Sequence, residues 1–69
     1  MNISARNQLR GRVRRIEIGA VNAEVLVELP GGLEIVSIVT KASSEQLNLT
    51  PDKEVYAVTK ASDVMIATE

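Results

Sequence analysis

Residues 20–32 limit the fold before anything else is weighed. Val21, Ala23, Val25, Val27 and Leu29 alternate with Asn22, Glu24, Leu26 and Glu28, and the run stops at Pro30-Gly31-Gly32. A period of two sends successive side chains to opposite faces of a pleated strand. Proline followed by glycine then supplies a fixed φ and a positive one for a tight reversal. The segment is therefore a half-buried strand that ends in a hairpin, so the chain is built around antiparallel sheet.

The rest of the sequence extends that reading. Leu9–Ile18 sets Arg10, Arg12 and Arg14 on one parity and Leu9, Gly11, Val13 and Arg15 on the other, an imperfect alternation expected of a strand with one charged face. Gly19 marks a first hairpin before the 20–29 strand. Leu33–Thr40 is β-branched on both parities, which predicts a strand between two neighbours or one facing apolar surface on both sides, and it reads as a third, central strand. Ser43-Ser44-Glu45-Gln46 has the form of a capping box that opens a short helix through Leu49, with Ser43 as the cap. Thr50-Pro51-Asp52-Lys53 turns the chain. Residues 54–60 (EVYAVTK) and 63–68 (DVMIAT) then give two more strands, broken near Ala61-Ser62.

The order β-β-β-α-β-β is that of the OB-fold, so the expected class is all-β with one short helix, an OB-like five-stranded Greek-key barrel over residues 1–69 as one domain. An SH3-like barrel and an open sheet completed by another chain are the competing architectures. Reading along the chain picks out no internal repeat, low-complexity stretch or composition break.

Size and composition narrow the chemistry. A 69-residue chain buries only about 60% of the surface it exposes when unfolded, so it needs a staple. With no Cys and no His it has no disulfide, no thiol or imidazole nucleophile, and no usual ligand set for zinc, haem or iron–sulfur. Association with further copies is the stabiliser left, and no directly coordinated metal cation is expected. At 45% hydrophobic and 25% charged residues the chain is of ordinary globular type. It has no signal-like start and no apolar run of about 18 residues, so a cytoplasmic protein without membrane attachment is expected. The carboxylates fall on polar strand faces or in turns, and no glycine pattern makes a nucleotide loop, so no catalytic constellation and no enzyme is expected.

Charge is unevenly laid out. Residues 1–15 hold five Arg and no acid, whereas residues 16–69 hold three Lys and nine acids. The Arg-rich tract 10–15 on an OB-like barrel raises single-stranded nucleic-acid binding as an alternative function. Against it, the chain lacks Phe and Trp and has one Tyr, Tyr56, whereas base stacking needs aromatic platforms.

A small oxyanion is the third class of ligand. Such a site wants fixed positive charge with hydroxyl and amide donors, and no carboxylate to repel the ligand. Three islands have that character: Ser4-Ala5-Arg6-Asn7-Gln8, Thr40-Lys41-Ala42-Ser43 and Lys60-Ala61-Ser62. Each falls at a strand end, and each also suits ordinary capping and turn chemistry.

The segments ISARNQLRG, GAVNAEV, VSIVTKAS and VYAVTKASDVMIA strongly resemble the molbindin (Mop) family of small molybdate-binding proteins and the Mop-like domains of the molybdate-responsive regulator. The resemblance spans nearly the whole chain. It implies an OB-like fold, molybdate or tungstate as bound ligand without a catalytic cofactor, a role in intracellular molybdenum storage or homeostasis, and a homohexamer arranged as a trimer of dimers. It further implies a main oxyanion site formed by Ser4, Arg6 and Lys60 with Ala61 and Ser62 from one subunit, and Thr40 and Ser43 from a neighbour. In that set Arg6 and Lys60 neutralise the dianion while the hydroxyls and an amide donate hydrogen bonds. A second type of oxyanion site, near the first hairpin, is implied at Val21 and Asn22.

Overall fold

A computed structural model describes residues 1–69. Four strands, one short helix and one 3-10 turn follow in the order β1 (Asn7–Ile18), β2 (Asn22–Glu28), β3 (Glu34–Thr40), α1 (Lys41–Gln46), β4 (Glu54–Thr59) and η1 (Ala61–Asp63). The strands form one antiparallel sheet in the order β3-β2-β1-β4. The structure is thus all-β with one short helix, as the turn and strand pattern implies.

Turn chemistry sets the two hairpins. Gly19 N–H donates to the Asn22 carbonyl at 2.8 Å and closes the first. In the second, Gly32 N–H donates to the Leu29 carbonyl at 3.1 Å, with Pro30 and Gly31 (φ 89°) in the two central positions of a type II turn. The imperfect alternation of the first strand has a local cause. Val13 faces Val27 and Arg15 faces Leu26, so Arg14 is an extra, bulged residue. The bulge switches parity: Val13 lies in the core with Val25 and Val27, and Ile16, not Arg15, packs against them beyond it.

Three sequence expectations are corrected. The Leu33–Thr40 strand is an edge, not a centre: β3 pairs only with β2. Its outward Val36 and Ile38 are 56% and 60% exposed, so its two-sided apolar pattern has no cover within the chain. The helix begins three residues early, because Thr40 accepts the Ser43 N–H on its Oγ1 at 3.0 Å and so takes the cap expected of Ser43. Finally, residues 63–68 are not a fifth strand. After η1 the chain runs on extended from Val64 (φ −87°, ψ 120°) and pairs with neither edge strand, β3 or β4. Met65 is 92% and Ile66 85% exposed. The sheet therefore stays open between β3 and β4, so the competing open-sheet architecture, and not a closed five-stranded barrel, is what this chain forms.

An apolar trough of about 650 Å³ lies along the open side, with Val13, Val25 and Val27 at its floor and residues of β3 and β4 on its flanks. The buried core is small, consisting of Val13, Ala23, Val25 and Val27. Beyond it, α1 ends in a Schellman arrangement: Leu49 N–H donates to Ser44 O and Asn48 N–H to Glu45 O, with Asn48 at φ 56°. Lys53 Nζ donates to the Leu47 carbonyl at 2.6 Å and so covers the helix end. No helix is long and apolar enough to cross a membrane.

Candidate functional site

Strand register gathers the polar islands into two groups. Asn7 stands opposite Thr59 across β1 and β4, which brings Ser4 and Arg6 to the same end of the sheet as Lys60, Ala61 and Ser62. Gln8 donates from Nε2 to the Ala5 carbonyl at 2.7 Å, closing a small turn that carries Arg6 on its outside. Asn22 stands opposite Thr40 across β2 and β3. Lys41 N–H donates to the Val21 carbonyl at 2.7 Å, so Val21 and Asn22 meet the Thr40–Ser43 segment.

These groups lie at opposite ends. β1 runs from Asn7, beside Thr59, to Ile18, beside Ala23. At about 3.3 Å per residue its twelve residues span roughly 36 Å before any curl. Within one chain the Arg6–Lys60 cluster therefore does not meet Thr40 and Ser43.

The two clusters differ in how far they are already satisfied. Thr40 donates its hydroxyl to Ser43 Oγ at 2.8 Å and accepts the Ser43 amide, so these two hydroxyls close on each other. They face solvent or are half-buried, and a rotor change is enough to turn the Ser43 hydroxyl outward. At the other end Ser4, Arg6, Lys60, Ala61 and Ser62 are all exposed, and neither cation has an ion-pair partner. Asp63, at the end of η1, is the nearest acid in sequence and forms no ion pair either.

The other cations are occupied. Arg10 pairs with Glu54 at 3.2 Å, Arg14 with Glu28 at 3.8 Å and Arg15 with Glu17 at 3.6 Å. Arg12 donates to the Asp52 carbonyl at 2.9 Å and Lys53 to the Leu47 carbonyl. That leaves Arg6, Lys41 and Lys60, each within one of the two clusters. The Arg-rich tract is thus a laced strand face, and Arg10 also sits over the ring of Tyr56, 5.8 Å from its centroid, covering the one aromatic. Nothing in this arrangement favours nucleic acid. Lys41 stood out in the sequence only as a member of the Thr40–Ser43 island and not among the implied ligands; its unengaged side chain is the sharper signal, and that appears only once the partners of the other cations are known.

Fold and site together define a class: a small OB-like β-domain that gathers cationic, hydroxyl and amide donors at both ends of an open sheet. Comparison with known proteins places it further. The TOBE domain profile matches residues 3–66. The chain is 49% identical over 69 residues, the full length of both, to a probable molybdenum-pterin-binding protein of Haemophilus influenzae. Among solved structures, MopII of Clostridium pasteurianum superposes with a TM-score of 0.92 at 46% identity, over 97% of this chain and 100% of that one. The cytoplasmic molybdate-binding protein ModG, solved with molybdate bound, gives 0.90 at 52% identity, over 94% of this chain and 46% of that one. The chain belongs to the molbindin (Mop) family of TOBE domains.

Proposed function

We propose that this protein binds molybdate, and tungstate as its close analogue, between subunits of a homo-oligomer, and serves intracellular molybdenum storage or homeostasis without making or breaking covalent bonds. Relatives and structural neighbours named for binding molybdate or molybdenum-pterin support the ligand, and the neighbour described as cytoplasmic supports a cytoplasmic location. The observation that carries the site is the separation of complementary donors: Arg6 and Lys60 at one end of β1, Thr40 and Ser43 at the other. A dianion is fully surrounded only where one end of a subunit meets the opposite end of another. There Arg6 and Lys60 supply charge, Ser4, Ser62, Thr40 and Ser43 supply hydroxyl donors, and the Ala61 amide adds another.

Such a pocket selects by protonation. A tetrahedral dianion with no proton accepts from every donor, whereas a protonated phosphate brings an O–H that finds no carboxylate and must turn one of the hydroxyls from donor to acceptor. Val21 and Asn22, beside the Thr40–Ser43 segment, are the residues for a second type of anion site. We assign residues 1–69 to one domain acting as one subunit, and the hexamer, a trimer of dimers, as the assembly; the exposed tail and the open trough are what a second copy would cover.

Calorimetric titration with molybdate, sulfate and phosphate, paired with the native mass, tests this reading. Tight molybdate binding near one per chain by an oligomer, with phosphate much weaker, is expected. A monomer, or an oligomer indifferent to molybdate and tungstate, would overturn it.

A further inference from the structure

The two clusters repeat each other. Ile3-Ser4-Ala5-Arg6-Asn7 recurs as Ile18-Gly19-Ala20-Val21-Asn22, and Thr40-Lys41-Ala42-Ser43 recurs letter for letter as Thr59-Lys60-Ala61-Ser62. Reading along the chain does not join them into one repeat, because the two spacings differ and the segments of one cluster bracket those of the other. Register does. Asn7 faces Thr59 as Asn22 faces Thr40. In the strand order β3-β2-β1-β4 an approximate two-fold axis between β1 and β2 exchanges these two strands and carries β3 onto β4.

The backbone follows a related course, one residue out of step. Each Thr-Lys-Ala-Ser segment leaves an edge strand and enters a helical turn, but the extended residue before the turn is Thr40 (φ −69°, ψ 152°) in the first and Lys60 (φ −68°, ψ 143°) in the second. Each lysine carbonyl accepts from the residue three further on: Lys41 from the Ser44 hydroxyl at 2.7 Å, Lys60 from the Asp63 amide at 2.9 Å. With its own amide on the Val21 carbonyl, the Lys41 backbone is held on both sides, while its side chain has no partner in the chain. Ser44 is itself only 2% exposed, so this anchor is a rigid one.

We propose that Lys41 is a further oxyanion-binding residue, the counterpart of Lys60, so that the intersubunit site is closed by two copies of the same Thr-Lys-Ala-Ser segment, one from each subunit. This rests on the intersubunit reading of the previous section. A tetrahedral oxyanion has two-fold axes, each relating one pair of oxygens to the other, so two like segments can each serve one pair. The place where the copies have diverged is Arg6 against Val21. The Arg6 end brings two cations to the anion and the Val21 end one, which makes the site a charged half closed by a lighter half.

The test is molybdate titration of the intact oligomer for wild type, K41M, K41R, K60M and R15M, with the native mass and the molybdate-free unfolding midpoint of each. R15M removes the same charge from the outer strand face. Weakening of about tenfold or more is expected in both K41M and K60M, less than about twofold in R15M, and partial recovery in K41R. The molybdate-free midpoint and mass of K41M should match wild type. Binding by K41M equal to wild type while K60M is weakened would overturn the role of Lys41 and leave the intersubunit site standing. So would loss of assembly by K41M without molybdate, which would make Lys41 a subunit contact instead. Wild-type affinity in K60M as well, or no binding by wild type, would overturn the intersubunit reading itself and Lys41 with it.

Discussion

Gly11 passes so close to Glu28 that a Cβ on it would lie 2.6 Å from the Glu28 carbonyl oxygen and 2.8 Å from Val27 Cγ1. The backbone contact cannot give way as a flexible side chain would, because Glu28 is paired in the sheet with both Arg12 and Glu34. G11A should therefore destabilise the protein by about 1–3 kcal/mol, the cost of forcing volume into a filled site. Urea unfolding of the variant against wild type measures this, and an unchanged midpoint would show that β1 can move away from β2.

Asp52 holds φ at 72° in the turn from Thr50 to Lys53, where the Lys53 amide donates to the Thr50 carbonyl at 3.1 Å. That position of a type II turn favours glycine, and the Asp52 carboxylate forms no ion pair to compensate. D52G should raise stability by about 0.5–1 kcal/mol, relief of left-handed strain outweighing the added freedom of the unfolded chain. A fall in the urea midpoint would refute it.

Thr40 has two tasks, helix cap and proposed anion donor. T40A should cost about 1 kcal/mol of stability and weaken molybdate binding as well. T40S keeps the oxygen and should largely preserve both. Amide exchange across residues 41–46 reads the first effect and calorimetry the second. If T40A weakens exchange protection but binds like wild type, the hydroxyl caps and does nothing more.

Met65 and Ile66 are almost wholly exposed, and the sheet leaves an apolar trough open as well. In M65D a charge replaces apolar surface at a side chain that is 92% exposed within its own chain, so the fold of residues 7–59 should be retained while the native mass falls. Light scattering with circular dichroism checks both; an oligomer of unchanged mass would show that the tail lies outside the subunit contact.

The sheet was legible in the sequence wherever chemistry was local. Pro30-Gly31-Gly32 and Thr50-Pro51-Asp52 turn as their residues demand, and alternation over 21–29 separated the Val25 and Val27 face from the Glu24 and Glu28 face. What could not be read depended on distant or absent partners. The bulge at Arg14 is set by pairing with β2, and β3 looked central because apolar residues fall on both its faces, although it pairs only with β2 and leaves Val36 and Ile38 exposed. Residues 63–68 have the composition of a fifth strand but pair with neither edge of the sheet. Ser43 resembled a cap until Thr40, at the end of β3, proved nearer to the first turn. Ser4, Arg6, Lys60 and Ser62 were brought to one end by register, as Thr40, Ser43, Val21 and Asn22 were to the other. Lys41 lay within the Thr40–Ser43 island but did not stand apart there, because an unengaged charge is a property of the whole set of partners.

The placing of unlike clusters at the two ends of β1 gives any contact between them a direction. Two copies related by a two-fold axis can satisfy both contacts at once, each lending its Arg6 end to the other's Thr40 end, and such a pair is closed. A joint of head to tail would instead leave an unfilled end on every subunit added, closing only if the turn from one subunit to the next divides a full circle and otherwise growing as a fibre. A substitution that flattens or tightens the curl of the sheet, even one far from Arg6 or Thr40, changes how the two ends face each other and so bears on which of these assemblies can form.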